Sequence, residues 1–147
     1  MIVVDHQDVL ADFLCARIGL EPTRHLRCIG RVRDDVLIAV VGFDGWNGSS
    51  VQMHCAGDDP RWINREFLHS AFSYPFKNGC NVVLGLVPSG NERAVKLNHH
   101  LGFSTLVEIP GGHPDGSLIV MAMQKADCRW INKEDTNGQE IRSAAAA

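Results

Sequence analysis

The chain lacks the cysteine spacing that metal sites and disulfide frameworks require. Its five cysteines, Cys15, Cys28, Cys55, Cys80 and Cys128, are odd in number and far apart, and no Cys-x-x-Cys pair occurs. A zinc site is therefore not expected. His25, His69 and His113 show no ligand spacing, and adjacent helical positions such as His99 and His100 point ~100° apart. Most of the cysteines fall in apolar patterns, where buried thiols are common, and a reducing cytoplasm fits them best. No apolar run is long enough to cross a bilayer. The N-terminus has no charged region followed by an apolar core and a cleavage site, so it does not read as a signal peptide. Excess positive charge is also missing. Fourteen Lys and Arg against 17 Asp and Glu give a formal charge of −3, which does not suggest a nucleic-acid partner. Tyrosine is almost absent, with Tyr74 the only one, and no internal repeat is visible.

What remains is the composition of one globular domain. The 147 residues are 45% apolar and 21% charged, enough to bury a substantial core. After the apolar Met1–Val4, helical spacing runs through Val9, Leu10, Phe13, Leu14 and Ile18, with Asp5 as a plausible N-cap and Gly19 as the stop. Alternation over Leu26–Arg33, the turn Asp34-Asp35 and the apolar run Val36–Phe43 predict a hairpin ending in a central strand. The arginines at 24, 27, 31 and 33 read as a solvated sheet face or edge. A turn at Asp44–Gly48 leads to a strand over Ser49–Ala56, broken by Gly57-Asp58-Asp59-Pro60. Ile63, Phe67, Leu68, Ala71, Phe72 and Phe76 make a helical stripe, with Pro75 ending or kinking the helix. A strand over Asn81–Val87, a helix carrying Ala94, Leu97 and Leu101, and a closing pair, Phe103–Ile109 and Ser117–Met123, follow. The order of elements predicts a mixed α/β domain over residues 1–131. Residues 132–147 are polar, end in four alanines, and read as a disordered tail.

The segment Asn81–Phe103, NVVLGLVPSGNERAVKLNHHLGF, has the order strand, Asn-opened helix, Leu-Gly-Phe, strand. With it, in order, stand Trp46, His54, Arg61-Trp62-Ile63-Asn64-Arg65-Glu66-Phe67, Tyr74-Pro75-Phe76 and Cys128-Arg129-Trp130. Together these features resemble the GNAT superfamily of N-acetyltransferases, and among them small phage and prophage acetyltransferases. The resemblance covers about Val32 to Ile131. It implies a twisted mixed sheet flanked by helices, with two central parallel strands, Ser49–Ala56 and Asn81–Val87, splaying apart. It also implies acetyl-CoA in the splay as co-substrate, no metal, and direct acetyl transfer to a primary amine on a protein or small molecule. A host-protein-binding module on the same fold, with vestigial coenzyme binding, is the alternative. The implied setting is the cytoplasm, the host's if phage-encoded, and a homodimer is compatible with it.

The resemblance also assigns residues. Backbone groups of Met53, His54, Cys55 and Ala56 border the acyl group, and an N–H there polarises the thioester carbonyl. Arg61, Trp62, Ile63, Asn64 and Arg65 match the pyrophosphate loop, although Asp58–Glu66 holds no glycine. The two arginines read either as phosphate ligands or as solvated first-turn residues. Asn91 and Ala94 open the helix beside the pantetheine arm, and Ser89 with Glu92 offers a capping box instead. Asn98 occupies the place where many members carry a Tyr acid, and it can donate a hydrogen bond but no proton. His54 is the candidate base, against a partly buried structural histidine. Glu108 and Asp44 are alternative acidic groups near the acceptor mouth. Trp46 is a candidate acceptor contact or a packing residue.

Overall fold

The computed structural model describes residues 1–131; the tail expected over 132–147 lies outside the described residues. The elements are β1 (Ile2–Val3), α1 (Gln7–Ile18), β2 (Arg27–Arg33), β3 (Val36–Asp44), β4 (Ser50–Gly57), a 3-10 turn (Pro60–Trp62), α2 (Arg65–Lys77), β5 (Val82–Pro88), α3 (Glu92–Leu101), β6 (Ser104–His113) and β7 (Gly116–Gln124), with a final 3-10 turn at Lys125–Asp127. They build one mixed α/β domain on a seven-stranded sheet of order β1-β2-β3-β4-β5-β7-β6. Each pairing is antiparallel except β4 with β5.

Helices cover both faces. On one, α2 and α3 pack over the larger core. The stripe on α2 places Phe67, Leu68, Ala71, Phe72 and Phe76 at 2% exposure or less. Each such large side chain contributes about 1.5–3 kcal/mol relative to exposure. On the other face α1 buries Leu10 and Leu14 against Leu26, Cys28 and Val40. This helix lies close because Gly30 and Gly42 stand beneath it. A Cβ at either would fall 2.6 Å from Leu10 or 2.4 Å from Leu14.

Several boundaries differ from the sequence expectation. Asp5 does not cap α1: the N-cap is His6, in the left-handed region, with no side-chain cap. The entry is held instead by Gln7, whose amide donates to the Cys28 carbonyl and accepts from the Cys28 N–H, both at 2.8 Å. Gly19 does end the helix, at φ 68°. Asp34 and Asp35 both take positive φ, as a tight hairpin turn requires. The β6–β7 ladder runs beyond Ile109 to the pair His113–Gly116, through an irregularity at Pro110–Gly112, so the connecting turn is shorter than expected. Among the described residues no helix is long and apolar enough to cross a membrane.

Candidate active site

Strands β4 and β5 pair at only three positions: Ser50 with Val82, Val51 with Val83, and Gln52 with Leu84. Beyond these β4 stays on β3 as far as Gly57, and β5 stays on β7 as far as Pro88. The two strands therefore splay, leaving Met53–Gly57 and Gly85–Pro88 without a shared ladder. A cleft of about 470 Å³ occupies the gap. Its walls come from the C-terminal end of α1 (Arg17–Leu20), from Met53, His54 and Cys55 on β4, from Gly85–Pro88 on β5, from Asn91, Ala94, Leu97 and Asn98 at α3, and from Phe103, His113 and Leu118.

Backbone alternation aims groups into this cleft. The Ser49 carbonyl accepts from Asn81 and Val82 on the β5 side, whereas the Asp58 N–H donates to Ile38 on the β3 side. Backbone groups alternate sides along a strand. The N–H and C=O of Met53 and Cys55 consequently point toward β5. The pairing of Gln52 with Leu84 engages the Met53 N–H, so among the described residues the Met53 carbonyl and the N–H and C=O of Cys55 are left past the end of the ladder.

His54 pairs with Gly42 in register, so its side chain lies on the α1 face. Asp44, two residues along β3, shares that face. The Nε2 of His54 stands 2.7 Å from Oδ1 of Asp44, whose residue is only 6% exposed. A carboxylate only accepts, so Nε2 carries the hydrogen and Nδ1 is left as the basic nitrogen. The sequence singled out both residues separately but not as a pair. The signal was their shared parity across a hairpin, and it needs the register to be read.

Cys55 lines the cleft, and burial pushes its thiol up to about 11. It is a poor nucleophile at neutral pH. Asn98 also lines the cleft. Its Nδ2 is 3.7 Å from the Met121 sulfur and would stand 3.2 Å from a Cβ on Gly85, so Gly85 is what admits it. Asn91 caps α3, its side chain accepting from the Ala94 N–H at 3.1 Å. The capping box with Ser89 is not formed, since the Ser89 hydroxyl accepts from the Ser117 N–H instead.

The loop after β4 neutralises its own acids. Asp58 takes two 2.7 Å hydrogen bonds from Arg17, which lower its pKa. Asp59 accepts from the backbone and side chain of Arg61, which lower its pKa, the side-chain bond most, and it lies 3.9 Å from Arg33. Arg31 ties β2 to the loop through the carbonyls of Arg61 and Trp62, each at 2.6 Å. Asn64 caps α2 by accepting from the Phe67 N–H at 2.8 Å.

The structure thus gathers Met53, His54, Cys55, Asn91, Ala94 and Asn98 around one cleft. The other candidates stand apart from its walls. Ala56 packs toward α1, and Ile63 packs against the main core. Trp62 is buried beneath Gly57 and against the Phe67 ring. Arg61 is largely exposed, and Arg65 lies at the start of α2. Trp46 packs with Phe43 and Tyr74 and donates to the His25 carbonyl at 3.2 Å. Glu108 is exposed on the edge strand β6. Among the described residues no three His, Cys, Asp or Glu side chains group as metal ligands.

No family model and no curated protein matches the chain. Solved structures do share its fold. A spermidine N-acetyltransferase chimera of SpeG from Vibrio cholerae and hSSAT aligns with a TM-score of 0.70 at 13% identity, covering 86% of this chain and 96% of the other. YncA from Salmonella typhimurium, solved with acetyl-CoA, gives 0.67 at 13% identity, covering 84% and 92%. The ribosomal-protein-S18-alanine N-acetyltransferase of Escherichia coli gives 0.64 at 16% identity, also covering 84% and 92%. The fold is that of the GNAT acetyltransferases.

Proposed function

We propose that this chain is a GNAT-superfamily N-acetyltransferase that moves the acetyl group of acetyl-CoA directly onto a primary amine. The observation that carries the reading is the splay. A central parallel pair that holds for three residues and then opens is an unusual arrangement, because it leaves strand-edge hydrogen bonds unmet. The cleft so made offers those edges to a ligand with its own amide groups, such as a pantetheine arm. The fold's likeness to structures named as acetyltransferases, two of them N-acetyltransferases and another solved with acetyl-CoA, supports the same reading.

In this account the thioester lies against β4, with the backbone N–H of Cys55 hydrogen-bonded to its carbonyl oxygen. The arm runs along α3 past Asn91 and Ala94. Arg61, in the 3-10 turn, and Arg65, at the start of α2, meet the pyrophosphate. The amine enters from the α1 face, where His54 Nδ1 accepts its proton and Asp44 holds the ring and balances the imidazolium. The amine nitrogen bonds to the acetyl carbon as the carbon–sulfur bond breaks, and the electron pair leaves on sulfur. Asn98 stabilises the departing thiolate by hydrogen bonding, and water protonates it. The raised pKa of Cys55 favours direct transfer over an acyl-cysteine. A phage-type origin, a cytoplasmic setting and homodimerisation are further parts of the proposal.

The test is to incubate the protein with acetyl-CoA, with and without amines, and weigh both protein and products. Acetylated amine should appear, the protein should stay unmodified, and Cys55→Ala should remain active. Acetyl on Cys55, with activity lost in Cys55→Ala, would replace direct transfer by a two-step route. Coenzyme binding without turnover of any amine would favour a binding module on this fold.

A further inference from the structure

Resting on that reading, the cleft also speaks to its acceptor. Helix α3 borders the coenzyme arm, so the opposite mouth, beneath the end of α1 and beside His54, receives the amine. Among the described residues no Asp, Glu or Lys lines the cleft, and the ionisable groups on its walls besides Cys55 are Arg17, His54 and His113. Asp44 is 6% exposed and already bonded to His54. Asp58 is held by both sides of the Arg17 guanidinium. A second or third ammonium on an acceptor would therefore find no carboxylate on the described walls of the cleft, and Arg17 and Asp58 already neutralise each other.

The same mouth carries apolar side chains that remain open to solvent. Ile18 is 40% exposed at the end of α1 and Leu86 37% exposed on β5, with Leu20 on the same walls. Exposed apolar groups converging on a concave site gain by being covered by an apolar ligand. We infer that the acceptor is a monoamine carried on an apolar group, and not a polyamine. Such an amine presents one ammonium to the His54–Asp44 pair and lays its apolar body between Ile18 and Leu86. A small arylalkylamine and a peptide N-terminus with an apolar first residue share this chemistry.

The experiment first titrates acetyl-CoA into the whole protein. It then measures kcat/KM with 2-phenylethylamine, with a peptide beginning in leucine, and with spermidine, by mass spectrometry of the acetylated product. At least one apolar arm should exceed spermidine by about tenfold or more, the scale of apolar-pocket discrimination. Which arm is faster identifies the source of the amine. Ile18→Glu should cut that preference by about tenfold through KM, with coenzyme affinity unchanged, and Leu86→Glu should repeat the effect from the other wall. Spermidine as the best acceptor would overturn the inference, as would an unchanged preference in both folded variants, or coenzyme binding with no apolar amine acetylated. Absence of coenzyme binding would overturn the reading of the site, and the inference with it.

Discussion

Replacing Asp44 with Asn probes the proposed catalytic role of its contact with His54. The wild-type contact is 2.7 Å long and lies where Asp44 is 6% exposed. The carboxylate of Asp44 makes this a charged hydrogen bond, worth about 1.5–3 kcal/mol, and it becomes an ion pair when His54 takes the amine's proton. Asparagine keeps the shape and an accepting oxygen, so a neutral hydrogen bond of about 0.5–1.5 kcal/mol can persist. The difference, about 1–2 kcal/mol, falls on the transition state and corresponds to a roughly 5- to 30-fold loss of kcat/KM. Asp44→Ala should lose more, because the imidazolium is then left without a partner. The assay is acetylation of an amine at saturating acetyl-CoA, with folding verified by circular dichroism. A double-mutant cycle completes it. If Asp44 acts only through His54, the pair of changes should cost no more than His54→Ala alone. Full activity in Asp44→Asn, or additive losses in the cycle, would refute the pairing as catalytic and return His54 to a structural role.

Two other outcomes follow from the loop beside the cleft. Arg17 holds the Asp58 pKa below its ordinary 3.8, so the pair stabilises the fold above about pH 4 and ceases to do so as pH falls through the lowered value. Thermal melts should show wild type above Arg17→Ala at neutral pH, with the gap closing as the pH falls below the ordinary 3.8 of the carboxyl; a gap that does not change with pH would exclude the ion pair as its cause. A Cβ on Gly57 would stand 2.3 Å from the Trp62 ring, and a rigid indole cannot yield as a flexible tip would. Gly57→Ala should destabilise by about 1–3 kcal/mol, as overpacked cores do, and an unchanged melting temperature would show that Trp62 does not pin the loop.

Much of the fold was legible because its signals are local. The α2 stripe, the Asp34-Asp35 turn, the Gly19 stop and the Leu101-Gly102-Phe103 exit each depend on residues a few positions apart. The splay was legible only by resemblance, since nothing in Ser50–Gly57 or Val82–Pro88 marks where pairing ends. Residues whose roles depend on distant partners were harder to place. Asp44 and His54 meet through strand register, which the Gly45–Ser49 turn sets. The start of α1 is decided by Gln7 bonding across to Cys28, 21 residues away, and so a nearby Asp looked like the cap. Trp62 sits in a loop, where exposure and burial read alike in sequence, and only the bare backbone at Gly57 gives it a seat. The partners of Asp58 and Asp59 are likewise invisible in sequence, since Asp58 is held by Arg17 on α1, 41 residues away.

The central claim is that the β4–β5 splay is a coenzyme site, and calorimetric titration of acetyl-CoA into the full chain tests it most directly. The account predicts a one-site isotherm that weakens with added salt, and roughly tenfold weaker binding in Arg65→Ala, the effect of losing about 1.5 kcal/mol from a charged hydrogen bond. No heat and no thermal shift at about 1 mM acetyl-CoA, a level that would reveal binding as weak as about −4 kcal/mol, would contradict it.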